Sequence, residues 1–580
     1  MQVCPNCGGE LSFDIATQKL KCPFCEGLFD PAAFTAGAAA EEQHYTSTEP
    51  VQAAEDQTLD VVTQSGQAEE LRQDLQSPDV TADPQAAPTQ YFDVVEYTCP
   101  QCGGTLYSTE NSVNGFCSYC GSNHMLSARM AKMPSPKGVI PFQISKEQCK
   151  QAYLNKVKKS FFAPKELKDP KYLENFRGIY MPYWVYDIDY NAPVNMTGTR
   201  SYRRGNYVYT EHYKCTCDVR SFYKGISFDA SASFDDYFSQ SIAPFDAKAM
   251  MVFTPTYMAG FYADMQDVDS GVYSEDAVAF VQKSVYDEVT RSGAFKGITL
   301  NASPQKSIHP KVNKQNGTSL AFYPVWFLAY RNKDRVAYAV VNGQTGNLAC
   351  DLPVDNKKFL LLAAVLTLPI FALLLLLPTM GANTMLMIAD IIALISVGLL
   401  TSTVKRVNIR DQRLDDKGFQ SKNSGVRYNE IRQAQQKKAA KEKSSGGTFA
   451  IIITVLFLVL RFGVPFLSLL VEMLGSGLMG LAIAAMAIIF FILGIKQVKA
   501  SAKGGGPLMV GYIAILATVL LSALILLANP ADDLAFYGSE VLVLISIVIS
   551  QIFAMKEYNL LTTRPLPQLN RKGGDTSAPV

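Results

Sequence analysis

Eight of the twelve cysteines form four CxxC pairs, a spacing at which two thiolates of one tight turn reach a single metal ion. The pairs CPNC and CPFC recur as CPQC and CSYC, with each cysteine displaced by 95 residues and the same 14-residue spacer between pairs. The predicted ligands are Cys4, Cys7, Cys22 and Cys25 in the first set and Cys99, Cys102, Cys117 and Cys120 in the second. The sequence therefore repeats one candidate Cys4 metal site.

Four thiolates complete a tetrahedral zinc shell and leave no open position for a catalytic water. We therefore predict two structural Zn²⁺ ions, each held by a small zinc ribbon. The N-terminus lacks the basic stretch and apolar run of a cleavable signal peptide, so synthesis in the cytosol is expected. In that reducing compartment, paired cysteines indicate metal ligands rather than a disulfide framework.

The elements that position these cysteines must belong to several domains, because 580 residues exceed the size of one hydrophobic core. We predict two small zinc ribbons, a cytosolic α+β domain rich in strands, and a C-terminal all-α transmembrane bundle of about six helices. The predicted boundaries are 1–34 (first ribbon), 35–90 (acidic disordered tether), 91–130 (second ribbon), 134–356 (cytosolic domain), 357–404 (two transmembrane helices), 405–447 (basic cytosolic loop), 448–556 (four transmembrane helices) and 557–580 (cytosolic tail).

The tether is predicted from composition. Residues 41–96 contain 13 acids, a single base and few large apolar side chains. Such a segment cannot bury enough surface to offset the entropy lost on ordering. A spacer is the simplest role, and attraction of a basic partner is the alternative.

Two amphipathic helices are predicted in the cytosolic domain. Ser145 and Gln148 form a capping box that starts the first. One face of this helix carries Cys149, Ala152, Tyr153 and Val157. The second begins after Ser274 and ends at Gly293. Its apolar face carries Ala277, Phe280, Val281, Val285 and Val289.

Alternating apolar and polar residues between Tyr207 and Arg220 predict a half-buried strand. Cys215 and Cys217 share the face of the tyrosines Tyr207, Tyr209 and Tyr213 in this segment, whereas His212 points to the opposite face. A third metal site at these residues is therefore not expected.

The two tryptophans lie in matching contexts, IYMPYWVYDID around Trp184 and FYPVWFLAYRN around Trp326. A duplicated unit explains the match, and the alternative is two strands that each bury a tryptophan after an edge proline. After the second strand, Asn342-Gly343 predicts a two-residue hairpin turn.

Six apolar runs are long enough to span a bilayer. They are Phe359–Leu377, Thr384–Val404, Phe449–Val471, Leu474–Ile495, Leu508–Ala528 and Phe536–Met555. The loop 405–447 carries twelve bases and five acids, and the other basic segments fall on the same side. By the positive-inside rule both termini are cytosolic.

Asp390 and Arg461 are ionisable residues inside predicted spans, where charge is costly. A structural ion pair is the simpler interpretation. A transport or proton path is the alternative, although the neighbouring residues are mostly Leu, Ile and Val.

The segments GVIPFQISKEQCKQAYLNKV, FAPKEL, GIYMPYWVYD, YPVWFLAY and VNGQTG, between CxxC ribbons and apolar spans, resemble a family of largely uncharacterised bacterial membrane proteins. That family carries a zinc ribbon similar to that of transcription factor IIB and is often labelled primosomal or replication-factor-like. The resemblance implies a multi-pass protein of the bacterial cytoplasmic membrane. It does not imply helicase chemistry, because the sequence has no GxxxxGK[ST] loop.

Three classes of function remain open. A membrane-anchored scaffold that presents its cytosolic domain to a protein partner is favoured, and a transporter or channel component is the first alternative. A nucleic-acid-binding protein is the second, although residues 133–356 carry 26 bases against 22 acids, a weak balance for phosphate binding. An enzyme is not favoured, because no catalytic or cofactor-binding constellation is evident and the four histidines are scattered.

Overall fold

The structure is a computed structural model of the chain. It describes residues 3–32, 90–109, 116–123, 127–300, 304, 308, 318–359, 361, 362, 365, 381–424, 475–499 and 506–569. The predicted tether, apart from residue 90, lies outside these ranges. So do the whole predicted span Phe449–Val471 and most of the predicted span Phe359–Leu377.

The elements of the N-terminal part are mostly short strands. They are β1 (Ser12–Asp14), β2 (Lys19–Lys21), β3 (Leu28–Phe29), β4 (Tyr91–Thr98), β5 (Thr105–Ser108), β6 (Ser127–Pro134), β7 (Gly138–Val139), α1 (Lys146–Lys159) and α2 (Pro170–Leu173). The central part contains β8 (Arg177–Arg204), β9 (Tyr207–Asp229), α3 (Asp236–Ile242), β10 (Met251–Val252), β11 (Tyr262–Ala263), α4 (Ser274–Arg291), β12 (Thr299–Leu300), β13 (Thr318–Asn332), β14 (Arg335–Asn342) and β15 (Leu348–Cys350). The C-terminal part contains α5 (Ala382–Asp411), α6 (Lys417–Ser424), α7 (Ser476–Lys499), α8 (Gly506–Ala528), α9 (Leu534–Leu561) and β16 (Arg564–Pro565).

The first cysteine cluster has its own three-stranded sheet, β1–β2–β3, which packs on the larger domain. The Phe13 ring lies 5.5 Å from the Tyr257 ring, and the Phe13 N–H donates to the Ala259 carbonyl over 3.0 Å. Gln18 donates to the Phe142 carbonyl over 2.8 Å. These contacts join the first cluster to the core of the sheet-rich domain.

The second cysteine cluster is part of the main sheet. This sheet has 13 strands, and its order along one path is β10–β7–β13–β8–β11–β5–β4–β6. Because β4, β5 and β6 surround the second cluster, the boundary predicted at 130–134 does not separate two sheets. The long-range pairing of β5 with β11, which brings Tyr107 opposite Ala263, makes this connection.

The two tryptophan segments are antiparallel neighbours in the centre of this sheet. Met181 of β8 lies opposite Tyr323 of β13, and the residues on either side pair symmetrically about them. Pro182 faces Phe322, and Pro324 faces Tyr180. The prolines therefore lie in paired strands, and the alternative of edge positions is wrong. This symmetric register supports the duplicated-unit interpretation.

The tryptophan side chains follow the same symmetry. The Trp326 Nε1–H donates to the Ile144 carbonyl, just before α1, over 2.8 Å. The Trp184 Nε1–H donates to the Val268 carbonyl, upstream of α4, also over 2.8 Å. Each tryptophan side chain therefore connects the segment that precedes one helix to the central strands β8 and β13. The two hydrogen bonds fix the positions of α1 and α4 relative to these strands.

Both predicted helices are present. The capping box of Ser145 and Gln148 starts α1, and α4 ends just before Gly293, which has φ of +74°. Cys149 is buried as predicted. Phe280 on α4 is exposed, so its predicted place in the core is wrong. Buried contacts on α4 repeat every four residues, at Ala277, Val281, Val285 and Val289, and Phe280 lies just outside this stripe.

The predicted two-residue turn at Asn342-Gly343 is also wrong, because β14 and β15 are joined by a five-residue loop. The Asn342 side chain accepts from the N–H groups of Gln344 and Thr345, as Asx turns do, and the left-handed residue is Gly346. The Asn342 side chain also donates to the carbonyls of Ile242 and Pro244, which favours the longer loop.

Within the part of the chain that the structure describes, four helices are long and apolar enough to cross a membrane: α5, α7, α8 and α9. Asn408 near the end of α5 donates to the Gln497 carbonyl near the end of α7, so these two helices run in the same direction. Ser522, late in α8, donates to Asp390, early in α5, so α8 runs in the opposite direction. Both α5 and α9 end against the sheet-rich domain, where Arg335 binds Asp411 and the Leu560 carbonyl.

Candidate metal centres and partner surface

Each CxxC pair folds as the same tight turn. In all four turns the N–H four residues after the first cysteine donates to that cysteine's carbonyl, over 2.8 to 3.0 Å. The donors are Gly8, Glu26, Gly103 and Gly121, and all four have positive φ. Glycine takes this conformation without a steric cost, which explains three of the four residues.

The structure brings the predicted ligands together. Within each set of four cysteines, the sulfur atoms all lie within 4.8 Å of one another. The Cys99–Cys120 and Cys102–Cys117 sulfur pairs are both 3.7 Å apart. A tetrahedron with Zn–S bonds of about 2.3 Å has sulfurs about 3.8 Å apart, so the second cluster fits zinc closely. Both clusters can hold a metal ion.

The two clusters differ in their surroundings. In the first, Cys7 and Cys25 are exposed, and in the second all four cysteines are buried. In the first cluster, backbone N–H groups of Cys25 and Phe24 lower the pKa of the Cys22 thiol to about 6. The second cluster packs in one apolar core with Phe327, Tyr338 and Val340 of the central sheet. The first site is therefore open to solvent exchange, whereas the second is part of the protein core.

No additional group of three or more His, Cys, Asp or Glu side chains within the described residues is arranged to share an ion. His212 is exposed on the opposite face of β9 from Cys215, as predicted. His44, His124 and His309 lie outside the described residues.

Strands β8 and β9 form a hairpin arm that sequence reasoning did not foresee. Beyond an irregularity between Tyr186 and Ile188, the pairing continues to Arg204 and Tyr207. At about 3.3 Å per residue, these 17 residues of β8 extend roughly 55 Å. The base of the arm packs against Val281, Val285 and Val289 of α4.

The end of the arm, residues 200–209, is named the arm tip. Tyr207 and Val208 are 72% and 68% exposed, and the rings of Tyr202 and Tyr209 stack at 5.6 Å. The tip contains three arginines and no acid. The half-buried alternation predicted for residues 207–220 therefore holds only in the later part of this segment, because α4 does not extend over Tyr207 and Tyr209.

A network of buried ion pairs joins the domain to the apolar helices. Arg335 makes two hydrogen bonds to the Asp411 carboxylate, of 3.1 and 3.2 Å. Arg410 binds Asp351 over 2.7 Å, and Arg564 binds Asp235 over 2.8 Å. These pairs join residues 59 to 329 positions apart, so no sequence pattern indicated them.

A cavity of about 50 Å³ lies at this junction, lined by Arg410, Arg413 and Arg564 together with aromatic side chains. Each of the three arginines is bound to an aspartate, Asp351, Asp416 or Asp235 respectively. The guanidinium groups are therefore neutralised by the protein itself.

Asp390 of α5 is buried, and its carboxylate accepts from the Ser522 hydroxyl. Its other oxygen has no hydrogen-bond partner among the described residues. Arg461, the predicted partner, lies outside the described residues, so the ion pair stays a prediction.

Comparison with known proteins gives one weak relative. The chain is 27% identical over 241 residues to "Uncharacterized protein YdjG" of Bacillus subtilis (strain 168), an alignment that covers 40% of this chain and 68% of that protein. No family model matches the chain. No solved structure matches it either.

Proposed function

We propose that this chain is a membrane-anchored zinc-ribbon scaffold that presents its sheet-rich domain to a cytosolic protein partner. The observation that carries the proposal is the arm tip. Its inner face, with Tyr202 opposite Tyr209 and Arg204 opposite Tyr207, continues the face that α4 covers at the base of the arm. Exposed apolar patches of this kind mark interaction sites.

The chemistry of the tip indicates the kind of partner. Tyrosine and arginine are enriched at protein interfaces, because each combines a large contact area with hydrogen-bond donors. Glu211 lies opposite Arg200, whereas Arg203 and Arg204 have no acid opposite them in the hairpin and favour an acidic partner surface. A cytosolic protein with an acidic, partly apolar surface fits both properties.

The two metal sites have a structural role in this proposal. The first cysteine cluster packs against the sheet-rich domain through Phe13, and the second belongs to the sheet of that domain through β4–β6. Zinc at these sites stabilises the small folds that surround it. The two zinc ribbons therefore stabilise the domain that carries the arm.

The membrane part is proposed to have six spans, with both termini in the cytosol of a bacterium. The C-terminal ends of α5 and α9 contact the domain, and Asp355 before the first predicted span also contacts it, at the Phe162 carbonyl. These contacts support a start of α5 at the far side of the membrane, and we propose that the predicted span Phe359–Leu377 crosses before it. The parallel direction of α5 and α7 supports a second crossing, which we assign to the predicted span Phe449–Val471.

Topology is tested by single-cysteine labelling of a variant without native cysteines. Cysteines at positions 532 and 533 should react with impermeant reagents from outside the cell, and a cysteine at position 577 should be protected. Protection of the first pair would refute six spans.

Crosslinking tests the partner. A photo-reactive amino acid replaces Tyr207 in the full-length protein, and the matched control replaces Tyr91, an exposed tyrosine of β4. We expect a discrete protein adduct from position 207 that is absent from position 91 and is lost when Arg203 and Arg204 are replaced by serine. Equal adducts from both positions, or none, would contradict the proposal.

The nucleic-acid alternative gives a different result in the same experiment. Tyrosines can stack on bases, and the tip arginines can bind phosphates. An adduct at position 207 that is removed by nuclease would favour nucleic acid over a protein partner.

A transport role is favoured by one observation. Polar side chains meet between the apolar helices, where Ser396 bonds to Ser550 over 3.1 Å and Thr518 to Ser546 over 3.1 Å. Asp390 accepts from Ser522, one helical turn beyond Thr518 on α8, and so lies next to these polar pairs. Flux measurements on the Asp390 variants described below distinguish a transport path from a structural bundle.

A further inference from the structure

The residues after α9 form a strap that runs from the last apolar helix to the second cysteine cluster. At its start, Arg335 donates to the carbonyls of Leu560 and Thr563, each over 2.6 Å, and to the Thr563 hydroxyl over 2.7 Å. These bonds hold the end of α9 and the beginning of the strap, residues 562–569, on β14.

The middle of the strap is a short strand. In β16, Arg564 and Pro565 pair with Val336 and Arg335 of β14. The Arg564 guanidinium lies 4.3 Å from the Phe238 ring centre, in addition to its ion pair with Asp235. A buried guanidinium with a carboxylate and an aromatic ring fixes the strap laterally.

The far end of the strap rests on a metal-binding turn. The Leu569 N–H donates to the Cys102 carbonyl over 2.7 Å. The Leu569 side chain lies beside Gly104, where an added Cβ would come within 3.1 Å of it. The Gly104 N–H in turn lies 3.4 Å from the Cys102 sulfur. Leu569 therefore contacts the same turn that holds the Cys99 and Cys102 thiols in position.

We propose that metal occupancy of the second cysteine cluster controls the docking of the strap, and through it the end of the last apolar helix. Small Cys4 sites acquire their fold with the metal, so a metal-free turn loses the geometry that presents the Cys102 carbonyl and the Gly104 contact. The strap then loses the hydrogen bond from Leu569 to Cys102 and the contact of the Leu569 side chain with Gly104. This inference uses the predicted metal site and is independent of the partner of the arm.

The first cluster provides an internal control, because the two sets of ligands are a repeat but only the second contacts the strap. Cys22 and Cys117 occupy equivalent positions, 95 residues apart. Both lie in the second CxxC pair of their cluster, so Cys117→Ser removes a ligand without substituting any residue of the turn that Leu569 contacts.

Hydrogen exchange of the full-length protein in lipid nanodiscs tests the coupling. In Cys117→Ser, the amides of Arg564, Leu566, Gln568 and Leu569 and those of the last turn of α9 should exchange about tenfold faster, as expected for the loss of the docked state. In Cys22→Ser these amides should keep the parent rate. Unchanged exchange in Cys117→Ser, or the same increase in Cys22→Ser, would overturn the inference.

A reciprocal experiment decides the matter even if Cys117→Ser does not fold. Coupling between two sites is mutual, so a strap that is held by the metal site also holds the metal. In a Cys22→Ser background, which keeps only the second site, Leu569→Pro removes both the N–H that binds Cys102 and the side chain that lies beside Gly104. Zinc release to a chromophoric chelator should become at least roughly 2- to 10-fold faster, which is the range for the lost hydrogen bond alone.

Gln568→Pro is the matched control for that experiment. It introduces the same ring one residue earlier and keeps the Leu569 N–H, so its zinc release should stay close to the parent rate. Equal release rates for Leu569→Pro and the parent would refute the coupling.

Discussion

Replacing Arg335 should uncouple the sheet-rich domain from the apolar helices. Its side chain is 10% exposed and makes five hydrogen bonds, to Asp411, Leu560 and Thr563. In Arg335→Ala the Asp411 carboxylate and two carbonyls lose this donor. The ends of α5 and α9 are then no longer joined to β14 by this residue.

The size of the stability loss in Arg335→Ala follows from the burial of the Arg335–Asp411 ion pair. Removing one partner of a buried ion pair costs about 3 to 5 kcal/mol. The Asp411 side chain is 22% exposed, which allows some hydration and favours a value of about 3 kcal/mol. For a domain of this size, such a loss lowers the melting temperature by roughly 6 to 12 °C. Arg335→Lys should recover only part of it, because an ammonium cannot make the paired contacts of a guanidinium.

Tryptophan fluorescence of the full-length protein in detergent measures this change, since both tryptophans, Trp184 and Trp326, lie in the sheet-rich domain. Arg291→Ala is the control. The Arg291 side chain is 81% exposed and lies 3.9 Å from Asp287, so its loss should change stability by less than about 0.5 kcal/mol. Equal melting temperatures for Arg335→Ala and Arg291→Ala would refute the assigned role of the junction.

Three further predictions concern the metal sites, a buried acid and the bundle. The full-length protein should contain two zinc ions, and the first cluster should lose its ion to a chelator faster than the second because Cys7 and Cys25 are exposed; one ion, or equal release rates, would contradict this. Burial raises the pKa of Asp264 to about 6, so the folded state retains a proton that the unfolded state releases near pH 4, and stability falls as pH rises from about 4 to 6. Asp264→Asn should therefore raise the melting temperature at pH 8 and leave it unchanged at pH 4, and an equal gain at both would exclude this cause. Asp390→Leu and Arg461→Leu should each lower thermal stability in detergent, by about 3 to 5 kcal/mol where water is excluded, and the double variant should regain most of it. Single variants as stable as the parent, with altered proton leak in liposomes, would instead favour a transport path.

The sequence by itself indicated the features that depend on local patterns. The CxxC spacing was sufficient to group the cysteines, because the turn that presents two thiolates spans only a few residues. The capping box at Ser145 and the buried stripe of α4 are equally local, since both are set by contacts three or four residues apart. Long apolar runs predicted four helices that the structure contains.

Exposure on the arm could not be predicted from alternation. The pattern of β9 places Tyr207 and Tyr209 on the same face as Cys215, and the sequence gives no sign that this face is covered in one part and bare in another. Coverage depends on where α4 lies, and the Trp184 contact that fixes the approach to α4 joins residues 84 positions apart. Phe280 was misplaced for the same reason, because the width of the buried stripe is set by the partner surface.

Only the tertiary structure decided how the parts are joined. The second cysteine cluster belongs to the main sheet because β5 pairs with β11, more than 150 residues away. The junction and the strap depend on Arg335 and on Leu569, whose partners lie 76 to 228 and 467 residues away in the chain. Arg335 follows a turn and Leu569 lies in a proline-rich tail. Neither residue belongs to a periodic pattern or a motif spacing from which its contact partner could be predicted. Ligand sets and apolar helices are encoded by neighbours in the sequence, whereas sheet order, ion pairs and docked tails are determined by which surfaces meet when the chain folds.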